Sequence, residues 1–229
     1  IPEVAEKADA VLETWLLGIE GGPAIVETLF GKANPGGKLP ASFPRTTGQV
    51  PVNYDYLPSG RPADPDPSKD TARYMDQPIT PLYAFGHGLS YTRFSYGEPS
   101  VDRSRIPANG GEVTITLDVT NTGARAGDEV VQLYMRDPVA SISRPVQQLR
   151  GFKRVSLQPG ETKRVFFTLS ADQFALWSRD GEWVIEPGKI ELMVGSASDD
   201  IRGRAAVTID GEGRGSIAPA AIPTRSKIE

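Results

Sequence analysis

The sequence predicts two unlike parts in one chain: an α/β fragment, read as the end of an α/β sandwich, then an all-β sandwich of the fibronectin-III or immunoglobulin-like kind. Three observations predict it. Near the N-terminus, helical segments alternate with apolar runs and are punctuated by glycine and proline. From Glu112 the apolar period becomes two, with Val113, Ile115, Leu117 and Val119 alternating with polar residues in EVTITLDVT. Similar segments then recur at short intervals as far as Asp210, divided by Pro159-Gly160, Asp180-Gly181 and Pro187-Gly188.

In chain order, Pro2 to Ala8 (PEVAEKA) favours a short helix, and Asp9 to Trp15 (DAVLETW) reads as a mostly apolar strand reaching Leu17. Gly18, Gly21 and Gly22 break that pattern. Pro23 suits a first helical position, so a helix is expected from Pro23 to Phe30, with Ile25 and Leu29 facing inward beside Val26 and Phe30. Gly31 fits the residue that ends a helix, and Asn34-Pro35-Gly36-Gly37 marks a turn before a strand from Lys38 to Phe43. Pro44 to Pro81 has no periodicity and reads as a long irregular connection. Its middle, Pro62 to Pro67, is expected to be a mobile tip, and its flanks, Tyr54 to Tyr56 and Arg73 to Asp76, are expected to pack.

After EVTITLDVT, the segments DEVVQLYMRD, LRGFKRVSL, TKRVFFTLS, EWVIE, KIELMVGS and AAVTID complete the set of expected sandwich strands. Trp177 and Trp183 are expected in core or edge packing rather than as ligand platforms. The tail after Gly211, GEGRGSIAPAAIPTRSKIE, has no pattern and is expected to be poorly ordered or draped on the surface. The resulting division is 1–52 for the α/β portion, 53–96 for a linker and docking segment, 97–210 for the sandwich and 211–229 for the tail.

Composition narrows the chemistry. The net charge of −4 is spread over interspersed charges of both signs, so no basic face is offered to nucleic acid or anionic lipid. No apolar run is long enough to span a bilayer as a helix. With no cysteine there are no disulfides, thiolate nucleophiles or sulfur-ligated zinc sites, and no metal or cofactor is expected. A single histidine, His87, lies between glycines in PLYAFGHGLSY, where a solvated or backbone-bonded loop imidazole accounts for it.

That leaves carboxylates, arginines, tyrosines and tryptophans. Glu13, Glu20, Glu27, Asp70 and Asp76 are the carboxylates considered, and spacing alone selects no pair among them. Glu20 sits at a helix entrance, where the helix dipole favours a negative charge, and Glu27 reads as a solvated helix residue. GIEGG has neither the Lys-Ser/Thr ending of a phosphate loop nor the spacing of a dinucleotide fingerprint. Arg73-Tyr74-Met75-Asp76 brings together a cation, a phenol and a carboxylate, which suits either sugar hydroxyls or an ion pair that pins the loop.

Taken in order, ADAVLETWLLGIEGGPAIVETLFGKANPGGKLPASFPRTTGQVP, GRP, RYMD and PLYAFGHGLSYTRFSY resemble the C-terminal part of the β-glucosidases of glycoside hydrolase family 3. The resemblance continues through LDVTNTGARAGDEVVQLYMRD, QLRGFKRVSLQPGETKRVFFTL and WVIEPGKIELMVGSAS, which are similar to that family's fibronectin-III-like domain. It implies a larger enzyme with a (β/α)8 barrel, an α/β sandwich and a C-terminal β-sandwich. It also implies hydrolysis with retention by an aspartate nucleophile and a carboxylic acid, about 5 to 5.5 Å apart. Neither family motif falls on these residues, so no catalytic residue is expected here. The expectation is of a C-terminal piece that acts on terminal β-linked glucose or a related sugar only together with upstream domains.

Arg73, Tyr74 and Asp76 are the candidate substrate-binding residues, because in this family their connection passes near the active-site rim or a dimer contact. The resemblance also implies a periplasmic or secreted location and leaves a homodimer open as a partner. The rival expectation is a non-catalytic carbohydrate-binding, adhesion or dimerisation module built on the sandwich.

Overall fold

The computed structural model describes residues 2–63, 69, 71–215 and 218–229. Asp70 and residues 64–67 of the expected tip lie outside the described residues. Two helices, α1 (Pro2–Lys7) and α2 (Gly21–Leu29), come first. Strands β1 (Phe94–Tyr96), β2 (Ser100–Val101), β3 (Arg105–Pro107), β4 (Glu112–Asn121), β5 (Gly127–Arg136), β6 (Gln148–Leu157) and β7 (Thr162–Ser170) follow. The chain continues with β8 (Leu176–Trp177), β9 (Trp183–Ile185), β10 (Gly188–Ala197), β11 (Asp200–Asp210), β12 (Gly213–Arg214) and β13 (Arg225–Ile228).

The strands form two facing sheets. One has the order β1-β4-β7-β13 with β2 also on β4, and the other runs β3-β11-β10-β5-β6; a third, small sheet is β12-β9-β8. The period of two in the sequence becomes burial directly. Val113, Ile115, Leu117 and Val119 of β4 are buried, and Val113, Ile115 and Leu117 stand opposite Leu169, Phe167 and Val165 of antiparallel β7. Leu133, Val155, Ile190, Leu192, Val207 and Ile209 from the other sheet complete one continuous core. Each such side chain, fully withdrawn from water, contributes about 1.5–3 kcal/mol. All seven expected sandwich segments form strands. The turn at Pro159-Gly160 closes as expected, with Gly160 at φ +76, a value that favours glycine.

The N-terminal region differs from expectation in two places. Asp9 to Leu17 forms no strand: Val11, Leu12, Trp15, Leu16 and Leu17 are exposed, and among the described residues no ladder partner lies alongside. An apolar run becomes a strand only where a neighbour takes its backbone hydrogen bonds. Lys38 to Phe43 is extended beside residues 82–87 but makes only an isolated bridge, Phe43 to Tyr83, with further backbone bonds between Leu39 and both His87 and Gly86. The second helix starts at Gly21 rather than Pro23, and Gly31 follows it at φ +71, as a helix-ending glycine should. Ile25 is only half-buried and Leu29 is exposed, so the expected inward face meets solvent.

The tail corrects the expectation made for it. Residues 225–228 form β13, antiparallel to β7, with Ile228 packed on the core, and Gly213–Arg214 pairs with β9. Local sequence carries no such signal because the pairing is supplied by a strand some sixty residues earlier in the chain.

Candidate functional site

The connection that carries Arg73, Tyr74 and Asp76 is anchored on the sandwich at one end and on the N-terminal region at the other. At the outgoing end the Tyr54 ring stacks on Phe85 at 4.2 Å and meets Tyr134 edge-on at 5.9 Å. The Tyr54 hydroxyl accepts the Leu149 amide at 3.2 Å, and burial raises the phenol's pKa. Two residues on, the Tyr56 carbonyl accepts the Val146 amide at 3.0 Å. At the returning end the buried Gln49 amide donates to Pro78 O at 2.8 Å, and Arg45 Nε donates to Thr80 O at 3.0 Å. Between them the Ala72 amide bonds Arg61 O at 3.0 Å.

Arg73, Tyr74 and Asp76 are all exposed on this excursion, with Met75 at 95% exposure beside them. Of the two flanks expected to pack, Tyr54 does so, whereas Tyr56 is 57% exposed and residues 73–76 face solvent. Glu13, Glu20 and Glu27 are exposed as well; Glu13 accepts the Trp15 amide, and Glu20 precedes α2 without a side-chain cap bond. His87 is half-buried and stacks on Tyr83 with ring centroids 5.3 Å apart. Among the described residues no group of three or more His, Cys, Asp or Glu could hold a metal ion.

The most heavily engineered polar site is the seam between the N-terminal region and the sandwich. Lys38 Nζ lies 3.1 Å from Glu129 Oε1, with side chains only 13% and 5% exposed, and donates to Gly88 O at 3.2 Å. The Tyr96 hydroxyl donates to Glu129 Oε1 at 3.3 Å, and burial, followed by the Glu129 charge, pushes the Tyr96 phenol well up. Arg202 lies over the Tyr96 ring at 4.8 Å. Gln132 donates to both Gly86 O and Ser196 O, and Asn34 bridges Ala126 O to the Tyr91 amide and the Ser90 hydroxyl. Two glycines are obligatory here. A Cβ on Gly86, at φ +82, would sit 2.1 Å from Gln132 Oε1, and one on Gly88 would sit 2.2 Å from Gly37 O. Sequence reasoning did not single out Lys38, Glu129 or Gln132; the glycines of PGGK and FGHG were the available signal.

A second charged cluster borders a cleft of about 310 Å³ lined by Pro58, Arg136, Asp137, Ser143, Arg144 and Val146, among others. Arg144 lies 3.8 Å from Asp137 and donates to Ala175 O at 3.3 Å. Burial raises the Asp137 carboxyl and lowers the Arg144 guanidinium, and chiefly burial brings Arg150 down to about 10.

The geometry is that of an N-terminal region docked through a buried polar seam onto a two-sheet β-sandwich. Residues 1–91 match the glycosyl hydrolase family 3 C-terminal domain, and residues 129–198 match a fibronectin type III-like domain. The chain belongs to glycosyl hydrolase family 3. It is 46% identical over 198 residues to a periplasmic beta-glucosidase of Salmonella typhimurium, covering 86% of this chain and 26% of that protein. A beta-xylosidase of Formosa agariphila is also 46% identical, over 205 residues, covering 87% of this chain and 27% of that one. Among solved structures, a beta-glucosidase from Listeria innocua in complex with glucose superposes with a TM-score of 0.86 at 39% identity, covering 91% of this chain and 29% of that one. The chain thus spans about a quarter of the length of the curated relatives it matches.

Proposed function

We propose that this chain serves as the C-terminal supporting region of an exported β-glycosidase that removes terminal β-linked glucose or a related sugar. The observation that carries this is the ordered match to both family domains, across the α/β portion and the sandwich, in relatives named beta-glucosidase and beta-xylosidase. Export is supported by the relative named as periplasmic. The chemistry belongs to the family-length protein. Within it, the apolar side chains of Val11, Leu12, Trp15, Leu16 and Leu17 are surface for the adjoining α/β layer to cover, and the Lys38–Glu129 seam holds that layer on the sandwich. Arg73, Tyr74 and Asp76 stand on an exposed excursion anchored at both ends, which suits them to position substrate at a neighbouring domain.

The test is hydrolysis of an aryl β-glucoside and an aryl β-xyloside by the purified chain beside a family-length relative. Turnover by the relative alone is expected. Turnover that copurifies with this chain overturns the assignment of catalysis to other domains. In the relative, alanine at the positions matching Arg73 and Asp76 should raise KM severalfold; unchanged kinetics remove the positioning role.

A further inference from the structure

Strand β7 is held very unequally from its two sides. On one side all nine of its residues pair with β4, and Val165, Phe167 and Leu169 are fully buried. On the other side only the four residues of β13 pair with it, and Ile228, itself partly buried, is the one side chain of residues 222–229 in the core cluster. The remaining side-chain contacts to this sheet are polar and near solvent. Arg225 pairs with Glu112 at 2.6 Å with both side chains well exposed, and Lys227 lies 4.3 Å from the centre of the Phe166 ring. An exposed ion pair adds little to stability.

The backbone register defines the edge that β13 covers. Arg164 and Glu229 exchange both backbone hydrogen bonds, at 2.7 and 2.9 Å, and such pairs alternate along an antiparallel ladder. The amides of Arg164, Phe166 and Thr168 therefore point to the C-terminal segment, and those of Val165, Phe167 and Leu169 point to β4. On its other side the segment meets β6 of the facing sheet: the Thr224 hydroxyl donates to Arg150 O, and Lys153 Nζ donates to Ser226 O at 3.4 Å. A Cβ on Gly151 would lie 3.0 Å from Thr224 Cγ2, so glycine at this point of β6 leaves the segment its room. Gln173 donates to Ile222 O at 3.2 Å and to Thr224 Oγ1 at 2.8 Å, and is itself fixed by accepting the Ser170 amide at 3.1 Å. The groove walls belong to β6, β7 and the turn after β7, each of which is held by other partners.

We propose that residues 222–229 are a clasp that opens ahead of the sandwich, and that the β7 edge beneath it is a strand-accepting surface fitted to this same segment, so that the C-terminal segment of a second copy takes the place of the first. Opening gives up one partly buried apolar side chain and a few polar contacts, far less than global unfolding gives up. It bares a row of unpaired backbone donors and acceptors on a strand that stays fixed by β4, and such an edge pairs with an extended chain. The occupant is set by what already fits: the register, the core position taken by Ile228 and the bonds from Gln173 all match IPTRSKIE.

The test has two arms, both on the full 229-residue chain. In native-state hydrogen exchange resolved by residue, the amides of Arg164, Phe166 and Thr168 should exchange about tenfold faster, or more, than those of Val165, Phe167 and Leu169 in the same strand. Equal rates for the two sets overturn the clasp. In the second arm, a fluorescent peptide with the sequence of residues 222–229 is titrated into the unaltered chain and into Ile228→Asp, and anisotropy is read. Ile228→Asp weakens the resident segment, so it should bind the peptide about tenfold more tightly than the unaltered chain does, whereas a peptide carrying the same Ile228→Asp change should bind neither. Circular dichroism of Ile228→Asp should match the unaltered chain; if it does not, Arg225→Glu, which sets like charges beside Glu112, loosens the clasp without touching the core position and is titrated instead. No peptide binding to the loosened chain, or equal binding of both peptides, overturns the strand-accepting surface. Self-association of the loosened chain that added peptide does not reverse also overturns it, since bare β7 edges would then pair with each other.

Discussion

Phe167 and Phe30 are the same side chain in opposite circumstances. Phe167 has 0% exposure in the middle of β7, where Ile115 across the ladder and the facing sheet enclose it, whereas Phe30 is 79% exposed just beyond α2. The difference extends to whole regions. The strands from β1 onward bury a continuous core drawn from both sheets, while the described residues among the first eighty place no large hydrophobic side chain in that core and make polar and aromatic contacts with the sandwich. Apolar content is therefore not the same as a core; burial needs a partner layer. The sandwich has two layers, and the N-terminal region has its seam.

The largest expected effect contrasts the two phenylalanines. Phe167→Ala should cost about 3–5 kcal/mol in urea unfolding, and Phe30→Ala about 0.5 kcal/mol or less. A cost above about 2 kcal/mol for Phe30→Ala would show that the N-terminal region has a core of its own. Next comes the seam. Glu129→Ala leaves the Lys38 ammonium buried without its carboxylate and should cost about 3 kcal/mol, with hydrogen exchange quickening at residues 34–43 and 84–90 before the sandwich opens. Uniform quickening across β4 and β7 would instead mean that the two regions unfold as one unit.

Smaller effects sharpen the picture of the sandwich. Deleting residues 224–229 removes β13 and the contact of Ile228 with the core and should lower stability by about 1–2 kcal/mol. An unchanged unfolding midpoint would return the tail to a draped, idle role. The smallest effect depends on pH. Hydrogen bonding from Arg202, aided by the Ser196 hydroxyl, holds the Asp200 carboxyl below its ordinary 3.8. A depressed folded pKa gives stability that is complete above the ordinary value and is lost as pH falls through the lower one. Asp200→Asn should thus cost about 0.5 kcal/mol at pH 7, since the pair is largely solvated, and the cost should vanish as pH falls through the depressed carboxyl pKa. A difference that stays constant as the solution is acidified would assign the effect to packing at the β10–β11 turn.

Much of the sandwich was legible in the sequence because its code is local. Alternation in β4 states which side chains face inward, and Pro159-Gly160 and Asp180-Gly181 state where the chain reverses. What was not legible lay in pairings between distant residues. DAVLETW has the composition of a strand, but nothing local says whether a neighbour will accept its hydrogen bonds, and among the described residues none pairs with it as a strand. TRSKIE looks like an idle tail and becomes a strand because the edge of β7 is open to it. For the same reason Lys38 gave no hint of a buried ion pair, since its partner is some ninety residues further along the chain.

The sequence by itself determined the class of each part, the seven main sandwich strands, the absence of thiol chemistry and the kinship with family 3, since periodicity, turn residues and motif order are written along the chain. Only the tertiary structure decided which apolar residues are buried, that Trp177 stands outward on Trp183, and that Glu129 and Gln132 fasten the N-terminal region to the sandwich. Burial and charge pairing depend on what lies across a gap in space, and a local pattern carries the period of a side chain but not the identity of its neighbour.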